Sequence, residues 1–160
     1  MPYQRLVFNR MAIHYEIAGI AYVAADVLLS ADNHHSLHQT FDICEEDNIP
    51  RIDNLLNLAF SQAAHALSPL IDSSRPFCKS PSGNAAMTFP KKTVSASLAL
   101  KIKETVREFL VASALHGWLS VTLPGSAGVW KERADTLLAA IQALPLHART
   151  GGCLRRSSPF

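Results

Sequence analysis

Apolar residues recur along this chain at helical spacing, in blocks separated by turn residues. In the first block Ile13, Ile17, Ile20, Ala24 and Val27 follow at intervals of 4, 3, 4 and 3, one face of a helix. Asn9 stands where an N-cap belongs, and Ser30, Ala31, Asp32 and Asn33 supply turn chemistry at the far end. The preceding run Tyr3–Phe8 is β-prone, either a strand or an extended arm. Residues 34–46 predict a short helix with Leu37, Phe41 and Cys44 inward, ended by Asp47 and Asn48. Pro50 suits the first turn of the next helix, where its missing N–H costs nothing. There Ile52, Leu55, Leu56, Ala59, Phe60, Ala63 and Leu67 form a strong stripe that should run out near Ile71, past Pro69.

Two further helices follow an irregular stretch. Residues 72–92 hold three prolines, a glycine and four serines and predict a loop, with a short edge strand at 86–89 as its one β candidate. Thr93 or Ser95 can cap a helix with Leu98, Ile102, Val106, Phe109, Leu110, Ala114 and Leu119 on its inner face. Pro124 and Gly125 should end it, and Ser126 should cap the last helix, where Trp130, Ala134, Leu137, Ile141 and Leu144 repeat the 4, 3, 4, 3 spacing up to Pro145. The short connection 123–126 makes these two helices antiparallel neighbours, with Trp118 and Trp130 flanking the turn as core or subunit-contact residues. The fold class expected is mainly α, a bundle of three long helices plus one or two short ones. It occupies residues 1–148 as a single domain, with the internal loop 72–92, and residues 149–160 form a flexible basic tail.

Composition narrows the class without naming an activity. The chain has 160 residues, 48% hydrophobic and 18% charged, enough to bury one core. Mean hydropathy is only +0.10 and no 18-residue apolar run occurs, so no membrane span is expected. The first sixteen residues lack the order of a signal peptide, and three cysteines, Cys44, Cys78 and Cys153, form no C-x-x-C pair. Together these predict reduced thiols and a cytoplasmic setting. A net charge of +2 is too small to argue for nucleic acid.

Candidate chemistry is sparse. His34 and His38 stand one helical turn apart beside His35, with Glu45 or Glu46 as added carboxylates, but no second ligand pair accompanies them, and no metal or other cofactor is expected. His65 and His116, each alone in an apolar helix, read as hydrogen-bonded core or interface residues, and no family signature surrounds a Cys44–His65 nucleophile–base pair. The segment 123–128 opens a helix but follows no strand and lacks the lysine of a phosphate loop. No catalytic residue is assigned. Charge, by contrast, is segregated. Asp42, Glu45, Glu46, Asp47 and Asp53 crowd residues 42–53, while Lys91, Lys92, Lys101 and Lys103 stand without an acid in 91–103. Acidic and basic patches on one protomer predict a homo-oligomer built through unlike surfaces. The tail adds Arg149, Arg155 and Arg156 with the apolar anchors Leu154 and Phe160. The partner-binding candidates are therefore Arg149, Arg155, Arg156, Phe160, Glu45, Glu46, Lys91 and Lys92.

The segment 41–71, FDICEEDNIPRIDNLLNLAFSQAAHALSPLI, resembles the second helical part of small all-helical proteins from phage and prophage structural clusters of gut Bacteroidales. Residues 102–144, IKETVREFLVASALHGWLSVTLPGSAGVWKERADTLLAAIQAL, are similar to their closing helix pair, down to a tryptophan on either side of the turn, and LRRSSPF is like their arginine-bearing tail. Head–tail connector (adaptor) proteins of tailed phages share the size and helical build. The resemblance implies a non-catalytic virion or assembly protein that forms a ring and meets a portal or tail protein, made in the bacterial host and incorporated in the particle. A cytoplasmic helical adaptor or regulatory binding domain is the alternative reading, and a small metal-dependent enzyme using His34 and His38 the third.

Overall fold

A computed structural model describes residues 3–28, 43, 45–71, 78–79 and 83–150. The fold is mainly α. In chain order it runs β1 (Tyr3–Phe8), α1 (Arg10–Leu28), α2 (Ile49–Ala66), β2 (Cys78–Lys79), β3 (Ala85–Pro90), α3 (Ala96–Thr122) and α4 (Pro124–Thr150). Residues 34–42 and 44 of the predicted short helix, His34, His35, His38 and Cys44 among them, lie outside the described residues, as do the tail residues Arg155, Arg156 and Phe160. Of the rest of that span Ile43 is buried, while Glu45 and Glu46 stand in the turn before α2 and not in a helix.

Helix α3 is the centre of the bundle. The predicted inner face, Ile102, Val106, Phe109, Leu110, Ala114 and Leu119, is buried, and so are Val111, Ala112, Leu115 and Trp118 on the flanks. From Phe109 to Leu119 no position is exposed, because α1, α2, α4 and β1 all lean on the helix. Ser95 is the N-cap, its hydroxyl accepting from the Leu98 N–H at 3.2 Å. Against α3, α2 buries Ile52, Leu56, Ala59, Phe60 and Ala63 as the stripe predicted. A side chain at Gly117 would meet Leu55 Cδ2 at 2.7 Å, so glycine is what lets α2 and α3 approach this closely. In the last helix Ala134, Ile141 and Leu144 are buried, while Trp130 and Leu137 are half-buried.

Several boundaries differ from the sequence-based expectation. Pro124 opens α4 instead of closing α3: only Leu123 breaks the helix, and a proline at the first helical position forfeits no bond. Ser126 accordingly sits inside the helix, its N–H bonded to the Leu123 carbonyl at 3.0 Å. Pro145 does not close α4, which continues to Thr150 and so includes Arg149. Burial of Leu144 and Pro145 near the helix end offsets the single hydrogen bond lost there. The two tryptophans also part company: Trp118 lies under Arg51 of α2, whereas Trp130 sits with Glu16 and Ile20 of α1.

The largest correction concerns 72–92, which is not wholly a loop. Its second half is β3, paired antiparallel with β1 on one side and with the two-residue β2 on the other. The segment expected at an edge is thus the central strand. In the register Leu6 stands opposite Met87 and Gln4 opposite Phe89. Leu6 and Phe8 point inward while Arg5 and Val7 face solvent, an alternation of period two. Phe8 meets Phe60 edge-to-face at 5.6 Å, which seats the sheet on α2.

Candidate functional site: the outer face of α1 and the polar cluster beneath it

Helix α1 has two faces with different duties. Ile13, His14, Ile17 and Ala21 are buried toward α2 and α3. On the opposite side every exposed position from Met11 to Val23 is uncharged: Met11, Ala12, Tyr15, Gly19, Tyr22 and Val23. Met11 is 75% exposed and Tyr15 84%, with Tyr22 and Val23 at 61% each. A solvent-facing helix side ordinarily carries charge. A face of Met and Tyr without charge has the composition of the buried centre of a protein interface.

The inner face fixes how α1 is turned. Asn9 caps the helix, its Oδ1 accepting from the Ala12 N–H at 3.2 Å. The Arg10 N–H, orphaned at a helix start, donates to Asn84 Oδ1 at 3.1 Å, tying α1 to the approach of β3. Arg10 also pairs through its guanidinium with Asp53 of α2, and His14 Nε2 meets the other oxygen of that carboxylate at 2.9 Å. Gly83, at φ +79°, passes so near the Arg10 guanidinium that a Cβ would come within 3.1 Å of Nη1; glycine serves both the left-handed backbone and the close approach. A second tie joins Glu16 to Arg107 of α3, both Nε and Nη2 reaching Oε2 at 2.9 and 2.6 Å. Arg10, His14, Asp53 and Arg107 thus hold the helix from several directions, with the Met–Tyr face left outward.

Burial pushes the His14 imidazole below its usual range, and the Arg10 charge adds to this, although the carboxylate at 2.9 Å pulls the other way. His14 is therefore neutral at pH 7 and donates from Nε2, because an ionised carboxylate can only accept. Unfolded chains take up a proton at this position below about pH 6.5, and the folded protein resists it, so stability must fall as pH drops below that value. A His14→Gln variant keeps a donor without titrating. Its urea midpoint should change less between about pH 6.5 and pH 5 than that of the wild type; an unchanged pH slope would remove His14 from the acid response.

Arg10, Asp53 and Gly83 line a cavity of about 30 Å³ with Phe8, Ile13, Leu56 and Phe60. That is room for a water molecule, not for a substrate. Among the described residues no group of three His, Cys, Asp or Glu side chains is placed to hold a metal ion. No described helix is long and apolar enough to cross a membrane.

The sequence-based candidates fall at opposite places. Glu45 and Glu46 are exposed in the turn before α2, and Lys91 and Lys92 in the turn before α3; the structure does not bring the two sets together. Of the core or interface place expected for His65 the core is excluded: the residue is exposed on α2, on the side of that helix opposite Ile52 and Leu56. His116 is half-buried, with Nδ1 3.3 Å from the Ala127 carbonyl. Sequence reasoning missed the α1 face and the Arg10–Asp53–His14 cluster. A signal existed for the first: Met11, Tyr15 and Tyr22 recur at helical spacing opposite Ile13 and Ile17, so the segment is apolar on both sides. For the second no signal existed, since Arg10 and Asp53 are 43 positions apart. No protein-family model, curated protein or solved structure matches the chain.

Proposed function

We propose that this chain is a non-catalytic structural or assembly subunit of a phage or prophage particle, placed at the head–tail joint, and that the outer face of α1 is the surface it offers a portal or tail protein. The observation that carries the reading is the uncharged Met–Tyr face, which is held outward by the Arg10, His14 and Glu16 contacts. Hydration of so much apolar surface is unfavourable until a partner covers it. The phage setting rests on the resemblance of 41–71 and 102–160 to small virion proteins.

The test is co-expression with the portal and tail proteins encoded beside the gene. Wild-type protein should co-purify with one of them. A Met11→Glu/Tyr15→Glu variant, both side chains being exposed, should lose at least tenfold in capture while keeping its urea midpoint. Equal capture by the variant would show that α1 is not the contact. Genes of another kind beside it would turn the reading toward a helical adaptor.

A further inference from the structure

The two ends of the bundle differ in charge and in shape. Arg51 lies over the Trp118 ring at 5.2 Å, and Gly117 rests on Leu55. The start of α2 therefore sits beside the end of α3, and these helices run antiparallel. At that end the exposed Glu45, Glu46 and Asp47 lead into the exposed Ile49 and Pro50. At the opposite end the residues following α2, the turn before α3 and the last turns of α4 enclose a groove of about 380 Å³. Pro69, Leu70, Pro145 and Ala148 give it apolar walls, and Lys92 and Thr93 complete the lining. Lys91 and Lys92 are both exposed there. Neither lysine, and none of the three acids, forms an ion pair with another described residue.

We propose that the acidic turn of one copy, Glu45, Glu46 and Asp47 with Ile49 behind them, docks into the Lys91–Lys92 groove at the opposite end of a second copy. The occupant is a second copy because one chain carries both halves of the match. The 18 residues of α2 separate the halves by about 27 Å, so they cannot meet within one molecule. That distance is also well beyond the roughly 8 Å over which exposed charges feel each other at physiological salt. Ile49 and Pro50 supply the apolar contact, which exposed ion pairs alone would not provide. Joining unlike ends leaves each copy with one free end of either kind. The contact therefore propagates into a ring or filament instead of closing as a dimer. The proposal rests on the reading of the chain as an assembly subunit, but it uses a surface separate from the α1 face.

Sedimentation velocity of the full chain tests it. Wild type should self-associate with rising concentration, at least tenfold more weakly in about 500 mM salt than in about 50 mM. Lys91→Glu/Lys92→Glu and Glu45→Lys/Glu46→Lys/Asp47→Lys, all at exposed positions, should each be monomeric. An equimolar mixture should associate again, since one variant then has two acidic ends and the other two basic ends. A wild type that stays monomeric throughout, reversed variants that associate like wild type, or a mixture that stays monomeric would each overturn the proposal. The Met11→Glu/Tyr15→Glu variant separates the two ideas. If it stacks normally yet loses portal or tail capture, both surfaces act as assigned. If wild type captures its partner but never self-associates, only the end-to-end contact fails.

Discussion

Truncating Phe109 to alanine is expected to lower the free energy of unfolding by about 3–5 kcal/mol, read from urea or guanidinium melts. Phe109 is 2% exposed on the helix that every other long element touches. The cost of such a truncation depends on how far the surroundings can close over the cavity. Here Ile17 of α1, Ala59 of α2 and Ile141 of α4 are each completely buried in the same core, so movement toward one helix opens space at another. A loss below about 1 kcal/mol would mean that this part of α3 tolerates solvent or repacks freely, and the view of α3 as the centre would fall.

The second large effect is expected at Asp53. Replacing it by alanine leaves the Arg10 guanidinium and the His14 Nε2–H without their shared acceptor, while Phe60, Ile13 and Leu56 still enclose the place. Removing one member of a well-buried pair costs about 3–5 kcal/mol, and the one-third exposure of Arg10 trims this to roughly 2–4. The informative comparison is a variant that removes both charges, Arg10→Met/Asp53→Leu. It should be more stable than Asp53→Ala, because no charge is then left unanswered. If instead the double change costs the sum of its parts, the pair contributes only as two independent surface residues.

The helices were legible because each buries a stripe that repeats every three or four residues. Ile52, Ala59, Phe60 and Ala63 sit inward for the same reason they could be picked out: hydrophobic spacing and burial have one cause. Two further kinds of feature left a weaker trace or none. Strand β3 was legible only as a short edge strand at 86–89, because Pro90 and the serines before it carry turn chemistry, and what makes it the central strand is β1, some eighty positions earlier in the chain. Likewise Arg10, His14 and Asp53 are unremarkable singly and become a cluster only when α1 lies across α2. Pro124 and Pro145 show a third case, in which a residue that often terminates a helix is accepted, one at the first position of α4 and one in its last turns.

The pairing of β1 with β3 also bears on the order in which the chain reaches its fold. Tyr3 stands opposite Pro90 and Phe8 opposite Ala85, so the sheet closes a loop containing both α1 and α2. By contrast, α3 and α4 are joined by Leu123 alone and make the most extensive contact in the molecule. Local pairs of this kind form early, and distant ones wait on a chain search. On the ribosome β1 emerges well before its partner, and it cannot pair with β3 until residues 85–90 have followed. The equilibrium cost of that wait is small, since doubling a loop adds only about 0.6 kcal/mol. The separation between β1 and β3 therefore weighs on the speed of folding far more than on its outcome, and of the two strands β1 has the longer time to find an unintended partner.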